Sequence, residues 1–317
     1  MSAAAARLAR RLDELGAGGE QLALAVSGGP DSLALLLLTH AAWPGRIAAA
    51  TVDHGLRAEA AGEAEMVALL CRRLAIPHRI IALKLEKGPG VQARAREARY
   101  AALAGWMRDE GLGALVTAHH ADDQAETLVM RLNRGAGLRG LAGMRPRASV
   151  PGAPSLALLR PLLDWRRAEL GAVCSEAGVV PADDPSNRDL TFERVRVREG
   201  LAHAHWIDPA GLAASAERLA QADAALEWAA DREWSRVGQG PVEASYNPAA
   251  PRAVRLRVLE RIVALLGEGN PRGSELSRWL DALESGQVAT LAGLRGDARE
   301  APWRFTRVPP HRGRTDQ

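Results

Sequence analysis

Lysine is almost missing from this chain. Of the 41 basic residues in 317, two are lysines, Lys84 and Lys87, and the other 39 are arginines. Arginine's planar fork suits bidentate phosphate contacts, although coding bias in an Ala- and Gly-rich chain accounts for the same excess. Cysteine is scarce too. Cys71 and Cys174 stand far apart, which excludes a disulfide framework, a CxxC pair and a cysteine zinc site. No apolar run reaches the length that spans a bilayer. The Ala- and Arg-rich N-terminus lacks the apolar core of a signal peptide and reads as an amphipathic helix from about Ala4 to Leu15. Excess charge is small, a formal +3 at pH 7, so composition alone argues only weakly for nucleic acid. What remains is an ordinary cytoplasmic globular chain with no membrane partner, 47% hydrophobic and 25% charged. It is long enough for a large core and two domains.

The most informative segment runs from Leu22 to Leu33, LALAVSGGPDSL. A short apolar run breaks into Gly28 and Gly29, then Pro30, Asp31 and Ser32, then an apolar helical run. Glycines allow successive backbone N–H groups to converge on one anion, and the following helix points its positive end at the same place. Ser27 and Ser32 add hydroxyl donors. Asp31 would repel a phosphate directly and fits one through Mg²⁺. The spacing is too short for a Walker loop, and no Lys follows the glycines.

The first half alternates strand and helix. Strands are expected at 21–26, 46–52, 78–83 and 114–118, with helices at 31–42, 58–74, 91–110 and 122–133. That order predicts a doubly wound parallel sheet with helices on both faces, and ligands where strands end and helices begin. Residues 135–154 hold five glycines and three prolines and read as loop. A strand at 156–163, a helix at 166–177 and a polar loop at 180–189 follow. From about Ile207 the pattern is helical (209–234, 251–266, 274–283), ending in β-like pieces at 288–294 and 303–308. The division is 1–205 for the alternating strand–helix domain and 206–317 for a smaller, mainly helical domain.

Further polar clusters fall at strand ends. Asp53 and His54, with Gly55 and Arg57, follow the second strand beside the glycine loop. Thr117 to Thr127, TAHHADDQAET, places His119 and His120 at a strand end and Asp122, Asp123 and Glu126 at the start of a helix. Asp123 and Glu126 share a face at i, i+3. Three acids so close repel one another unless a cation lies between them; Mg²⁺ or the ammonium groups of an amine substrate would serve. The helix macrodipole alone also favours acids there. Arg96 and Tyr100 share a face of the long helix. Arg194, Arg196 and Arg198 crowd a helix after the 183–189 loop, either as a phosphate-contacting surface or as a solvated basic face. In the second domain Arg252, Arg255, Arg257 and Arg261 share one helix with a single acid, Glu260, although residues 201–317 carry 15 basic and 15 acidic residues in all.

Taken together these residues resemble the tRNA(Ile)-lysidine synthases, a family of PP-loop ATP pyrophosphatases with an adenine-nucleotide α-hydrolase-like fold. SGGPDS matches the PP-loop. VDHGLR at 52–57, AREARY at 95–100, TAHHADDQAET at 117–127, RGAG at 134–137, RPLL at 160–163 and DPSNRDLTFERVRVR at 184–198 follow in the family's order. Ala136 and Val195 depart from it, where the family carries Ser and Asn. The resemblance covers residues 20–200 and implies adenylation of the wobble cytidine of a CAU-anticodon tRNA(Ile), then attack by L-lysine. It implies ATP held by Ser27 to Ser32 with Asp53 and His54, and Mg²⁺ at Asp31. It implies charge stabilisation by Arg96, proton transfer by His119 or His120, and lysine bound by Asp122, Asp123 and Glu126. Arg194, Arg196, Arg198, Arg255 and Arg257 are expected to contact the tRNA. A homodimer is left open. The alternatives are a PP-loop tRNA thiolase, disfavoured because no cysteine pair stands near the loop, an amide-forming synthetase, and a catalytically silent tRNA-binding module.

Overall fold

The computed structural model describes residues 2–55, 60–85, 88, 90–183 and 188–308. Leu56 and Arg57 of the second cluster, Asp184 to Asn187 of the DPSN block, Lys87, Arg312 and Arg314 lie outside the described residues. The chain divides into two compact units, Met1–Arg218 and Leu219–Gln317.

The first unit is built on a six-stranded sheet. In chain order its strands are β1 (Leu22–Ala25), β2 (Ile47–Asp53), β3 (His78–Ala82), β4 (Ala114–Val116), β5 (Arg147–Val150) and β6 (Ala153–Leu159), and their order across the sheet is β3-β2-β1-β4-β6-β5. Five strands run parallel, and β5 adds an antiparallel edge through β6. Alternate residues along each strand feed two separate cores. Leu22, Leu24, Ile47, Ala49, Val116 and Leu159 pack on one face with α1 (Ser2–Glu14), α2 (Pro30–Ala42), α3 (Ala60–Arg73) and α7 (Arg167–Glu176). Ala23, Ala48, Leu115 and Leu158 pack on the other with α4 (Val91–Asp109), through Tyr100, Leu103, Trp106 and Met107. Period-two alternation thus becomes the two faces of a doubly wound sheet. The run Leu33–Leu38 is apolar all round because α2 is buried all round, each fully buried leucine being worth about 1.5–3 kcal/mol of transfer free energy.

Residues 135–154 are not loop throughout. They hold α6 (Leu138–Leu141) and the edge strand β5. Edge strands are short and bulge-prone; β5 shifts register between Ser149 and Val150, which spoils the alternation a sequence reading needs. α5 (Ala121–Asn133) packs against α8 (Glu193–His203). Its inner face carries Ala121, Ala125 and Leu128, whereas Leu132 is exposed.

The second unit carries, beside the end of α9 (Pro209–Trp234) and the helices α10 (Arg252–Leu266) and α11 (Gly273–Glu284), a five-stranded antiparallel sheet. Its order is β7 (Val237–Gln239), β8 (Glu243–Tyr246), β11 (Trp303–Arg307), β10 (Leu294–Asp297) and β9 (Val288–Leu291). Tyr246, Trp279, Phe305 and Leu294 form its core. The C-terminal β-like pieces are three strands of this sheet; β7 and β8 are three and four residues long, too short to show a period.

Candidate active site

The parallel strands β2, β1 and β4 end side by side, and the groups that follow them line one cavity of about 500 Å³. After β1 the chain turns through Gly28, whose φ of 87° is a left-handed conformation that a side chain resists. Gly29 caps α2, and Pro30 occupies its first turn. Ser32 locks the loop: its Oγ accepts from the Ser27 N–H at 3.1 Å and donates to the Gly29 carbonyl at 3.0 Å. Loop amides and the helix N-terminus therefore face the cavity as a ready anion cradle. Asp31 reaches the same space, and its Oδ1 is buried with no hydrogen-bond partner. An orphaned carboxylate oxygen beside a phosphate cradle suits one divalent cation whose other ligands are phosphate and water oxygens. Among the described residues no cluster of three His, Cys, Asp or Glu side chains could hold a metal by itself.

Asp53 and His54, after β2, line the cavity wall. Asp53 accepts from the Gly55 N–H at 2.9 Å. Burial and the nearby Arg99 lower the His54 pKa against the pull of Asp53. On the α4 side the wall is Arg99 and Tyr100. Arg96 is exposed, its guanidinium 5.1 Å from the Tyr100 ring centre, and Arg99 stacks on that ring at the same distance. Arg99 is a residue the sequence reading passed over, although it lies three positions from Arg96 in the same block.

Beyond β4, His119 and Asp123 complete the cavity. Thr117 Oγ1 lies 2.9 Å from His119 Nδ1 and fixes its ring. Burial, aided by Arg160, Arg99 and Arg194 and opposed by Asp123, pushes His119 down to about 3, so it is neutral at physiological pH. His120 is the opposite case. It is 0% exposed, with Nε2 3.4 Å from Asp31 and 3.5 Å from Asp123, and Nδ1 3.6 Å from Asp122. Burial opposes its charge, but hydrogen bonding to Asp122 and Asp31 and the fields of Asp123 and Asp31 outweigh that and raise it to about 9. Doubly protonated, the ring has no lone pair to offer the Asp123 amide, 3.4 Å from Nδ1. The reciprocal contact, His120 N–H to Asp123 Oδ2 at 3.1 Å, is the one that closes the start of α5.

The cation expected among the acids is therefore supplied by the protein. His120 sits inside the cluster, and arginines close it from outside. Arg194 donates to Glu126 at 2.6 Å and to Asp123 at 2.7 Å, and Arg198 donates to Glu126 at 2.7 Å. Arg166 reaches Asp122 at 3.0 Å, and the Arg167 N–H donates to the same carboxylate at 2.8 Å. Glu126 is only 1% exposed. The first turn of α5 stands between two cavities. Asp123 faces the first with His119, whereas Asp122 and Glu126 face a second of about 580 Å³, with Arg166, Arg198 and the exposed Trp206 on its wall.

Two corrections follow for the arginines expected to meet tRNA. Arg194 and Arg198 are committed to Asp123 and Glu126 and form part of this site. Arg257, 9% exposed, is buried against Asp223, with Glu227 at 3.2 Å. Arg255 pairs with Glu284 at 3.1 Å. Arg196 is exposed and donates to the Leu190 and Thr191 carbonyls.

Fold and site together define an ATP-using PP-loop domain, and the sequence pattern of that domain matches residues 2–205. The chain belongs to the tRNA(Ile)-lysidine synthase family within it. It is 57% identical over 314 residues to the tRNA(Ile)-lysidine synthase of Novosphingobium aromaticivorans, covering 98% of this chain and 96% of that one. It is 41% identical over 300 residues to the enzyme of that name from Zymomonas mobilis, covering 92% and 90%. Among solved structures, the U34-tRNA thiolase NcsA of Methanococcus maripaludis shares the fold with a TM-score of 0.57 at 18% identity, over 69% of this chain and 79% of that one. Among the described residues no helix is long and apolar enough to cross a membrane.

Proposed function

We infer that this enzyme uses ATP to join L-lysine to C2 of the wobble cytidine of a CAU-anticodon tRNA(Ile), giving lysidine. The cytidine C2 oxygen attacks the α-phosphorus and diphosphate leaves. The lysine amine then attacks C2, the C2–O bond breaks, and AMP departs with that oxygen. The observation that carries this reading is one cavity with a glycine-loop anion cradle at one end and His119 with Asp123, from the acidic start of α5, at the other.

Ser27 to Ser32 hold the diphosphate end of ATP, and Asp53 and His54 flank the nucleoside. Mg²⁺, held through Asp31 Oδ1, would neutralise phosphate charge. Arg96 stands where charge develops at the phosphorus. Asp123, on the wall of the ATP cavity, attracts one ammonium group of lysine, and Asp122 and Glu126, on the wall of the second cavity, attract the other. The attacking amine is thereby oriented, although these acids are partly neutralised by arginines. His119 is the proton acceptor of the two histidines, because His120 already carries its second proton inside three carboxylates. Phosphate arriving beside Arg99 and Arg160 cancels the fields that depress His119 and raises its basicity. Arg196, exposed and bonded to the Leu190 and Thr191 carbonyls, is a phosphate contact for the tRNA. A thiolase reading is not supported by the cysteines: Cys71 and Cys174 are both buried, and burial holds each thiol up at about 11, away from thiolate chemistry.

Incubation with ATP, labelled lysine and each candidate tRNA tests the assignment. Label should enter the isoleucine tRNA alone, and Ser32→Ala should lower the rate by about 10²-fold or more through loss of the cradle. Label in another tRNA, or an unchanged Ser32→Ala rate, would refute it.

A further inference from the structure

Between Glu126 and Asp164 the chain has no acidic residue and six arginines: Arg131, Arg134, Arg139, Arg145, Arg147 and Arg160. Arg160 is 7% exposed and follows the last residue of β6. Its Nη1 donates to the Arg145 carbonyl at 2.8 Å, and its Nε is buried with no partner. Among the described residues no carboxylate lies within ion-pair reach of Arg160, Arg99 or Arg96. A guanidinium cannot shed its proton, and a buried charge without a counter-ion is rare because it is costly. Of the groups facing Arg160, Tyr100 favours its charge, burial and Arg96 oppose it, and His119 feels both Arg160 and Arg99. Such a pocket is complete only with an anion in it.

Position in the sheet identifies the anion. β6 pairs with β4 on the side away from β1, and the Thr117 N–H after β4 donates to Leu159 at 3.0 Å. Arg160 therefore stands at the ligand-binding edge beside His119, two strands or about 10 Å from the glycine loop after β1. The glycine loop and the β6 end thus lie on opposite sides of β4.

Resting on the RNA-modifying reading above, we propose that Arg160, with Arg145 and Arg99, forms a phosphodiester site that holds the RNA backbone next to the nucleotide being modified. The arginines fix the acceptor strand so that its base meets the α-phosphorus in front of His119.

Arg160→Gln and Arg145→Gln, each in the full chain, test this. Affinity for the CAU-anticodon tRNA(Ile) is measured across a salt series, and ATP affinity is measured without RNA. Each variant should bind tRNA about tenfold more weakly, with the salt slope lowered by about 0.7–1 and ATP affinity within twofold of wild type. Arg160→Lys should restore the slope but only part of the affinity, because it keeps the charge and loses the fork. Weakened ATP binding with an unchanged salt slope would assign the arginines to the triphosphate, and no change in either would make them structural; both overturn the site. Arg145, half-buried and on a loop, carries the test if Arg160→Gln does not fold. Failure of the parent reading looks different: wild-type protein would bind the tRNA with normal salt dependence but transfer no lysine to it.

Discussion

Helix α10 and the segment from Thr127 to Leu163 both carry arginines with few or no acids between them, yet they meet different fates. In α10, Arg252, Arg255, Arg257 and Arg261 all find carboxylates on neighbouring helices: Asp281, Glu284, Asp223, Glu227 and Asp231. The helix is basic along the chain and neutral in space. In the other segment Arg160 finds a carbonyl oxygen and the neighbouring Tyr100, which favours its charge, but among the described residues no carboxylate. A cationic run becomes a binding surface only where the fold brings it no acids. Sequence distance hides this, since the acids that silence α10 arrive from 29 (281 − 252) to 34 (257 − 223) residues away.

The largest effect that would break this contrast is in α10. Arg257→Ala removes the cation that pairs with the buried Asp223 and should cost about 3–5 kcal/mol, read as an earlier unfolding transition in denaturant. Its tRNA salt slope should match wild type; a lowered slope would return Arg257 to the RNA surface. Next is the pH dependence of the buried His120. Its pKa, raised from 6.5 to about 9 by the surrounding carboxylates, gives stability fully present below pH 6.5 and lost as pH rises through about 9. The loss is up to about 3 kcal/mol. Denaturant titrations at pH 7 and pH 10 should show it, and His120→Asn should flatten the difference. Glu126→Gln keeps an acceptor for Arg194 and Arg198 but removes the charge. A loss of about 2 kcal/mol and a raised KM for lysine are expected; an unchanged KM would separate Glu126 from the amine. Smallest is Arg196→Ala, at an exposed position where the guanidinium bonds backbone carbonyls. It should leave the melting temperature unchanged and weaken tRNA binding by a few-fold, about 0.5–1 kcal/mol.

Much of the catalytic unit was legible along the chain, because each parallel strand is a short apolar run and each helix after it starts at a polar or glycine-rich turn. Ser27 to Ser32 and His119 to Glu126 could be read for the same reason: each is a contiguous block at a strand end. β5, β7 and β8 could not be read, being too short to show a period and set among glycines and prolines. The counter-ions were equally hidden. Arg194 and Arg198 lie 68 and 72 residues from Glu126, and no local pattern announces that α8 will fold onto α5. Nor does a pair of adjacent histidines reveal that one, held at about 3, stays neutral in the cavity while the other, raised to about 9, is charged beneath it.

His120 has a last consequence. Carboxylates left facing one another would splay apart in the resting enzyme and have to be gathered by each incoming ligand, at an entropic cost. With an imidazolium fixed among Asp31, Asp122 and Asp123, the glycine loop and the acidic start of α5 share one internal counter-ion and are assembled before any ligand arrives. Discrimination at this site then turns on how well a guest matches a preset shape.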